Sequence, residues 1–150
     1  MAVTISVATP ADADDLTAAL QVLVPQLSRS NPPPGIEAVR SMLDHEAVTQ
    51  FLALDGGAIV GVSTLVVFPI PTSRRAWIED VIVEQSRNGE GIGRKLIEAM
   101  VARARELGCG TVELTSRPSR EAANHLYQSI GFERRKTNVY RYTVRAIDRP

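Results

Sequence analysis

The sequence predicts a single mixed α/β domain spanning residues 1–150, with one central sheet flanked by helices. Three observations lead there. Apolar residues recur at period two in some segments and at helical spacing in others. The two kinds of segment interleave along the chain, which favours one mixed sheet over separate layers. A length of 150 residues, 44% apolar and 23% charged, is that of one ordinary globular domain.

The elements follow in order. VTISVA at 3–8 has the β-branched composition of a short strand. Thr9, Pro10 and Asp12 then form a helix start: a capping hydroxyl, a proline where no N–H is needed, and an acid three residues on. Leu16, Leu20 and Leu23 mark the buried stripe of this helix, and Pro25 is expected to end or kink it. SRSNPPPG at 28–35 excludes helix, and a short second helix is expected from about Ile36 to His45. FLAL at 51–54, the turn residues Asp55, Gly56 and Gly57, and AIVGVSTLVVF at 58–68 read as a hairpin. After PIPTSRR comes AWIEDVIVE at 76–84, a strand on which Trp77, Glu79, Val81 and Val83 share one face by period two.

A glycine-rich loop follows, RNGEGIGR at 87–94. Ile92, Leu96, Ile97, Met100, Val101, Ala104 and Leu107 then recur with helical spacing up to the stop at Gly108. TVELT at 111–115 is a strand. Pro118 and Ser119 open a helix whose stripe is Ala123, Leu126, Tyr127 and Ile130, closed by Gly131. The alternating tail FERRKTNVYRYTV is expected to add a last strand, so the order is β-α-α-β-β-β-α-β-α-β.

Composition narrows the function. Seventeen Lys plus Arg balance 17 Asp plus Glu, so the basic excess of a nucleic-acid binder is missing. No apolar run reaches membrane-spanning length, and MAVTISVATPADADD lacks the basic and apolar regions of a secretory signal. One cysteine, Cys109, cannot form an internal disulfide, which makes a reducing, cytoplasmic setting the expectation. Two histidines and one cysteine, far apart in sequence, give no metal-ligating pattern.

The loop before the long helix has chemical content. A helix N-terminus carries unpaired N–H groups and a partial positive charge, and glycines in front of it let an anion approach the backbone. A phosphate or pyrophosphate is the natural guest. Two familiar versions are ruled out: the dinucleotide fingerprint needs glycine where Arg94 stands, and the P-loop needs a GK pair followed by Ser or Thr.

The segment IEDVIVEQSRNGEGIGRKLIEAMVARARELG resembles motif A of the GNAT superfamily of acetyl-CoA-dependent N-acetyltransferases, in which a strand precedes QxxGxG or RxxGxA and a long helix. AANHLYQSIGF at 122–132 is similar to the same family's later helix, with a tyrosine near its end and Gly-Phe starting the next strand. The resemblance implies the fold above and acetyl-CoA as co-substrate. Its pyrophosphate would be held by amides of Gly89, Glu90, Gly91, Ile92, Gly93 and Arg94. The first position of the family hexad, usually Gln or Arg, is here Asn88, a shorter neutral side chain, with Arg87 or Arg94 as electrostatic compensation. The pantetheine arm would pair with the backbone of Val81, Ile82 and Val83, where the strand splays from its parallel neighbour.

Direct acetyl transfer to an amine has two protons to manage. The free amine has a pKa of about 10.4, so presenting it neutral at pH 7 costs roughly 4–5 kcal/mol. Glu79, just upstream of the pantetheine-pairing residues, is the candidate general base, and a half-buried structural carboxylate is the alternative. Tyr127 matches the family's general acid, which protonates the departing thiolate, and a simple core aromatic is the alternative. Arg120 stands where the superfamily often has asparagine, seven residues before the tyrosine, within expected reach of the CoA phosphates or else at a solvated helix start. The resemblance implies an amine acceptor, expected to be a small molecule because no extra domain or recognition tail accompanies the catalytic core, with a peptide amine or a catalytically inactive CoA-binding module as alternatives. Arg74 and Arg75 hint at an acidic or phosphorylated amine. Homodimers are frequent in the family, and the tail with Tyr140 and Tyr142 is a candidate surface for one.

Overall fold

Local signals set the first elements of the computed structural model, which describes residues 2–144. β1 is Thr4–Val7. The Thr9 cap opens a 3-10 turn, Pro10–Asp12, with the Asp12 carboxylate accepting the Thr9 backbone N–H at 2.7 Å. α1, Ala13–Leu27, continues from it. Pro25 neither breaks nor shortens α1 by more than a turn, since the helix runs two residues past it. α2 is Ile36–Asp44.

β2 (Val48–Asp55), β3 (Ala58–Ile70) and β4 (Ser73–Val83) form an antiparallel meander, and Gly56 and Gly57 take φ of 56° and 85° in the first turn. α3 is Ile92–Glu106, stopped by Gly108 at φ 80°; β5 is Thr111–Glu113 and α4 is Glu121–Ile130. The five strands make one sheet in the order β1-β2-β3-β4-β5, antiparallel except for the β4–β5 pair.

Each sheet face is covered by its own helix layer. Leu16, Leu20 and Leu23 of α1 and Val39 of α2 are buried in a cluster with Leu52, Val62 and Ile82. On the other face α3 packs against β2, β3 and β4 and buries Ile92, Leu96, Ile97, Met100 and Ala104. Gly61 permits the close approach: a Cβ there would lie 3.4 Å from the Ile92 side chain and 3.2 Å from the Ile82 carbonyl oxygen. No helix of the described residues is long and apolar enough to cross a membrane.

The chain forms two compact units, Met1–Leu114 and Thr115–Pro150. In the second, the expected last strand is absent: residues 132–144 carry no regular structure. Alternation specifies a strand only where a neighbour takes its hydrogen bonds and one face is buried. Here Val139, Tyr140, Tyr142 and Val144 are 76–90% exposed, and the charged run Glu133 to Lys136 precedes them.

Candidate active site

β4 changes face halfway along. Thr64 of β3 stands opposite Glu79 and Val62 opposite Ile82, so Ser63 alone faces both Asp80 and Val81. This is a β-bulge, and Asp80 adopts φ 47°, the only positive value among the described non-glycine residues. The extra residue reverses the alternation. Glu79 therefore shares a face with Ile82, and Val83, opposite Gly61, lies on the other. The expectation that Trp77, Glu79, Val81 and Val83 share one face is corrected accordingly: it holds for Trp77 and Glu79 and fails beyond the bulge. The indole Nε1–H of Trp77 donates to Glu79 Oε1 at 2.6 Å, on an otherwise exposed carboxylate.

The other edge of β4 opens at the same level. Parallel pairing with β5 covers only Arg75–Trp77, against Thr111–Glu113. Beyond Trp77, β4 has no strand partner on that side among the described residues. Glu84 N–H bonds the Val60 carbonyl at 2.9 Å, so the alternation of an antiparallel ladder turns the backbone groups of Val83 away from β3, toward the open edge.

The glycine loop sits at the end of this edge. A 3-10 turn, Gln85–Arg87, leads from β4 into it, and its first N–H is held by Gln26 Oε1 at 3.0 Å. Gly89 and Gly91 take φ of 87° and 80°, a left-handed backbone open to glycine at little strain. Gly91 caps α3, and its carbonyl accepts the intrahelical bond from Lys95 N–H at 3.1 Å. A helix start leaves its first N–H groups without intrahelical partners. No acidic residue occupies the first turn of α3, and buried Ile92 anchors that turn on Gly61.

The charges around the loop are arranged differently from the sequence expectation. Arg87 is already engaged: Nη1 lies 2.8 Å from Asp55 Oδ2, while Nε and Nη2 donate to the two Glu90 oxygens at 2.7 and 2.9 Å. These hydrogen bonds, Glu90 first and Asp55 second, raise the Arg87 pKa above its ordinary value, and the bond from Arg87 lowers that of Glu90. Arg94 lies 3.2 Å from Glu98. Asn88 is exposed. Compensation for the short Asn88 side chain by a spare charge on Arg87 is therefore not what the geometry provides.

Beside Gln85, an open cleft is lined by Gln26, Arg29, Asn31, Pro33 and the end of α1.

Tyr127 and Arg120 belong to the second unit. Arg120 is the N-terminal boundary of α4, where its N–H bonds the Arg117 carbonyl at 3.0 Å. The Asn124 side chain closes the same turn by donating to that carbonyl at 3.0 Å. The end of α4 is built around the Tyr127 carbonyl, which accepts from Gly131 and Phe132. The Tyr127 ring is half-buried and meets Phe132 at 6.0 Å between centroids, tilted 59°. Burial raises the phenol pKa, with Arg120 pulling the opposite way. His125 is exposed.

Sequence reasoning missed the bulge, the Trp77–Glu79 bond and the Arg87 ion pairs. A Trp-x-Glu spacing on a strand is a usable signal for the second. Nothing in sequence signals the pairing of Arg87 with Asp55, which is set by where the β2–β3 turn meets the end of β4.

Comparison with known proteins places these features in context. The sequence model of the Acetyltransferase (GNAT) family matches residues 16–132. A curated relative, N-alpha-acetyltransferase 30 of Saccharomyces cerevisiae, is 32% identical over 74 residues, covering 49% of this chain and 42% of that protein. The chain thus aligns with less than half the length of this relative. Among solved structures, a putative acetyltransferase from Agrobacterium tumefaciens is 26% identical at a TM-score of 0.81, covering 93% of this chain and 99% of that one. An aminoglycoside acetyltransferase from an uncultured soil metagenomic sample, solved with trehalose, shares the fold at a TM-score of 0.85 and 23% identity, covering 95% and 97%.

Proposed function

Because the chain belongs to the acetyltransferase (GNAT) family, we propose that it transfers the acetyl group of acetyl-CoA to a primary amine, by direct attack in a ternary complex. The observation that carries this reading is a strand edge that opens beyond Trp77 and ends in a two-glycine, left-handed loop at the start of α3. An extended amide-bearing chain can add to such an edge as a strand would. An anion at its end meets the amides of Gly89 to Arg94 and the positive end of the helix dipole. Acetyl-CoA has both parts in that order, a pantetheine arm for Val81, Ile82 and Val83 and a pyrophosphate for the loop.

In this reading Glu79 is the general base, acting on the acceptor ammonium directly or through water. The neutral amine attacks the thioester carbonyl, a C–N bond forms, and the C–S bond breaks as CoA leaves. Tyr127 gives its phenolic proton to the departing sulfur. Of the two protons the ammonium loses, the first passes through Glu79 to solvent. The second, shed by the attacking nitrogen as the amide forms, reprotonates the tyrosinate through water. The Trp77 hydrogen bond supports the assignment of Glu79 because it fixes one carboxylate oxygen and leaves the other for a proton. Arg120 is assigned to the CoA phosphates.

The acceptor is assigned to a small molecule. Arg74 and Arg75 open β4 four to five residues before Glu79, roughly 13–17 Å at strand rise, so they suit only an elongated acidic acceptor. Activity of the yeast relative, named as an N-alpha-acetyltransferase, makes a peptide N-terminus the first alternative.

Incubation with acetyl-CoA and a panel of amines and N-terminal peptides, following thiol release, tests the proposal. Turnover on a small amine supports it, turnover on peptides alone moves the acceptor class, and saturable CoA binding without turnover on any amine replaces it with a binding module.

A further inference from the structure

A carboxylate in the middle of an anion-binding loop has the wrong sign, and Glu90 sits between the two left-handed glycines of this one. Arg87 addresses it. Its guanidinium takes both Glu90 oxygens in a fork and, through Nη1, a third oxygen from Asp55, the last residue of β2. Three segments meet on this one side chain: the β2–β3 hairpin, the turn after β4, and the loop. With Nε, Nη1 and Nη2 all facing carboxylates, the cation is committed to the protein.

We propose that Arg87 is a positioning residue for acetyl-CoA. It draws Glu90 back against the hairpin, keeps its charge off the pyrophosphate, and fixes the Gly89–Gly91 backbone with its amides free to converge. The inference rests on the reading of the loop as the pyrophosphate seat. Removing Arg87 leaves Asp55 and Glu90 as two uncompensated carboxylates beside an anion and releases the loop from its anchor.

Calorimetric titration of the full chain with CoA, which needs no acceptor, tests this on wild type, Arg87→Gln, Arg87→Lys and the double variant Arg87→Gln/Glu90→Gln. Arg87→Gln is expected to raise Kd about tenfold, and the double variant to recover most of that loss. The ratio of Kd values between Arg87→Gln and wild type should shrink with added salt, because repulsion between exposed charges is screened. A purely structural tether would show neither the recovery nor the salt effect. Arg87→Lys keeps the charge without the fork and should lose about threefold, which supplies the test should Arg87→Gln not unfold cooperatively. Wild-type affinity in Arg87→Gln or Arg87→Lys, or a double variant as weak as Arg87→Gln, overturns the inference while leaving the CoA site standing. No CoA binding by wild type overturns the functional reading itself.

Discussion

Gly61 links the interior to the loop, and Gly61→Val probes that link. A Cβ at this position would stand 3.2 Å from the Ile82 carbonyl oxygen and 3.4 Å from both Ala53 Cβ and Ile92 Cγ2. Unstrained carbon pairs rest at about 3.5–4.0 Å, so the Cβ alone uses the available space and the two Val methyls exceed it. Overpacking of this kind costs about 1–3 kcal/mol, offset by about 0.5–1 kcal/mol because glycine is a poor strand residue. The net loss, centred on about 1–2 kcal/mol, corresponds to a fall in Tm of roughly 2–8 °C for a chain of this size. Relief comes through α3, whose first residue is Ile92, so Kd for CoA should rise severalfold along with the loss of stability. Thermal unfolding and CoA titration measure the two effects. Unchanged Tm and Kd in Gly61→Val would refute the claim that close helix–strand approach at Gly61 sets the loop.

Three further substitutions probe the site. Tyr127→Phe should lower kcat by about 10²–10⁴-fold with little change in CoA affinity, as expected for loss of a general acid. Because burial raises the Tyr127 pKa, its share of stability is full below about pH 10 and is lost as pH rises through the folded value, so Tyr127→Phe should flatten alkaline unfolding in a pH-dependent melt. Glu79→Gln should lower kcat by a similar about 10²–10⁴-fold and remove the acidic limb of the pH–rate profile; a limb that stays in place assigns the base to water. Asn88→Arg should tighten CoA binding, read by titration, since Arg87 is already held by Asp55 and Glu90; unchanged affinity would place the Asn88 side chain away from the phosphates.

Elements whose order is encoded locally were legible in the sequence. The Thr9–Asp12 cap, the Gly56–Gly57 turn, the α3 stripe from Ile92 to Ala104 and the Gly108 and Gly131 stops each rest on neighbours a few residues apart. The glycine loop was legible for the same reason. What escaped depends on register between strands. Period two carries Glu79 and Val83 to one face only if β3 and β4 pair one to one, and the bulge at Asp80 breaks that count without any glycine or proline to mark it. The Arg87–Asp55 pair depends on a contact between residues 32 apart in sequence. The tail failed in the opposite direction: its alternation was present, but no partner strand or buried face made use of it.

The early end of the β4–β5 ladder also bears on how the protein keeps company with itself. A sheet margin with free backbone donors and acceptors is a template for any extended chain, including another copy partly unfolded, and natural sheets usually shield such margins with charge, proline or a covering element. Here β4 carries Ile78, Val81, Ile82 and Val83 past the point where β5 stops, with Glu79 and Asp80 as the charged residues in that stretch. Those two acids put like charge on the margin, the kind of shielding that disfavours strand addition by the wrong partner, and under the proposed function a pantetheine arm would cover the same edge. Stabilisation by such a ligand would grow with the logarithm of its concentration over Kd, so the rise of Tm with added CoA would read how far occupancy of the margin protects the fold.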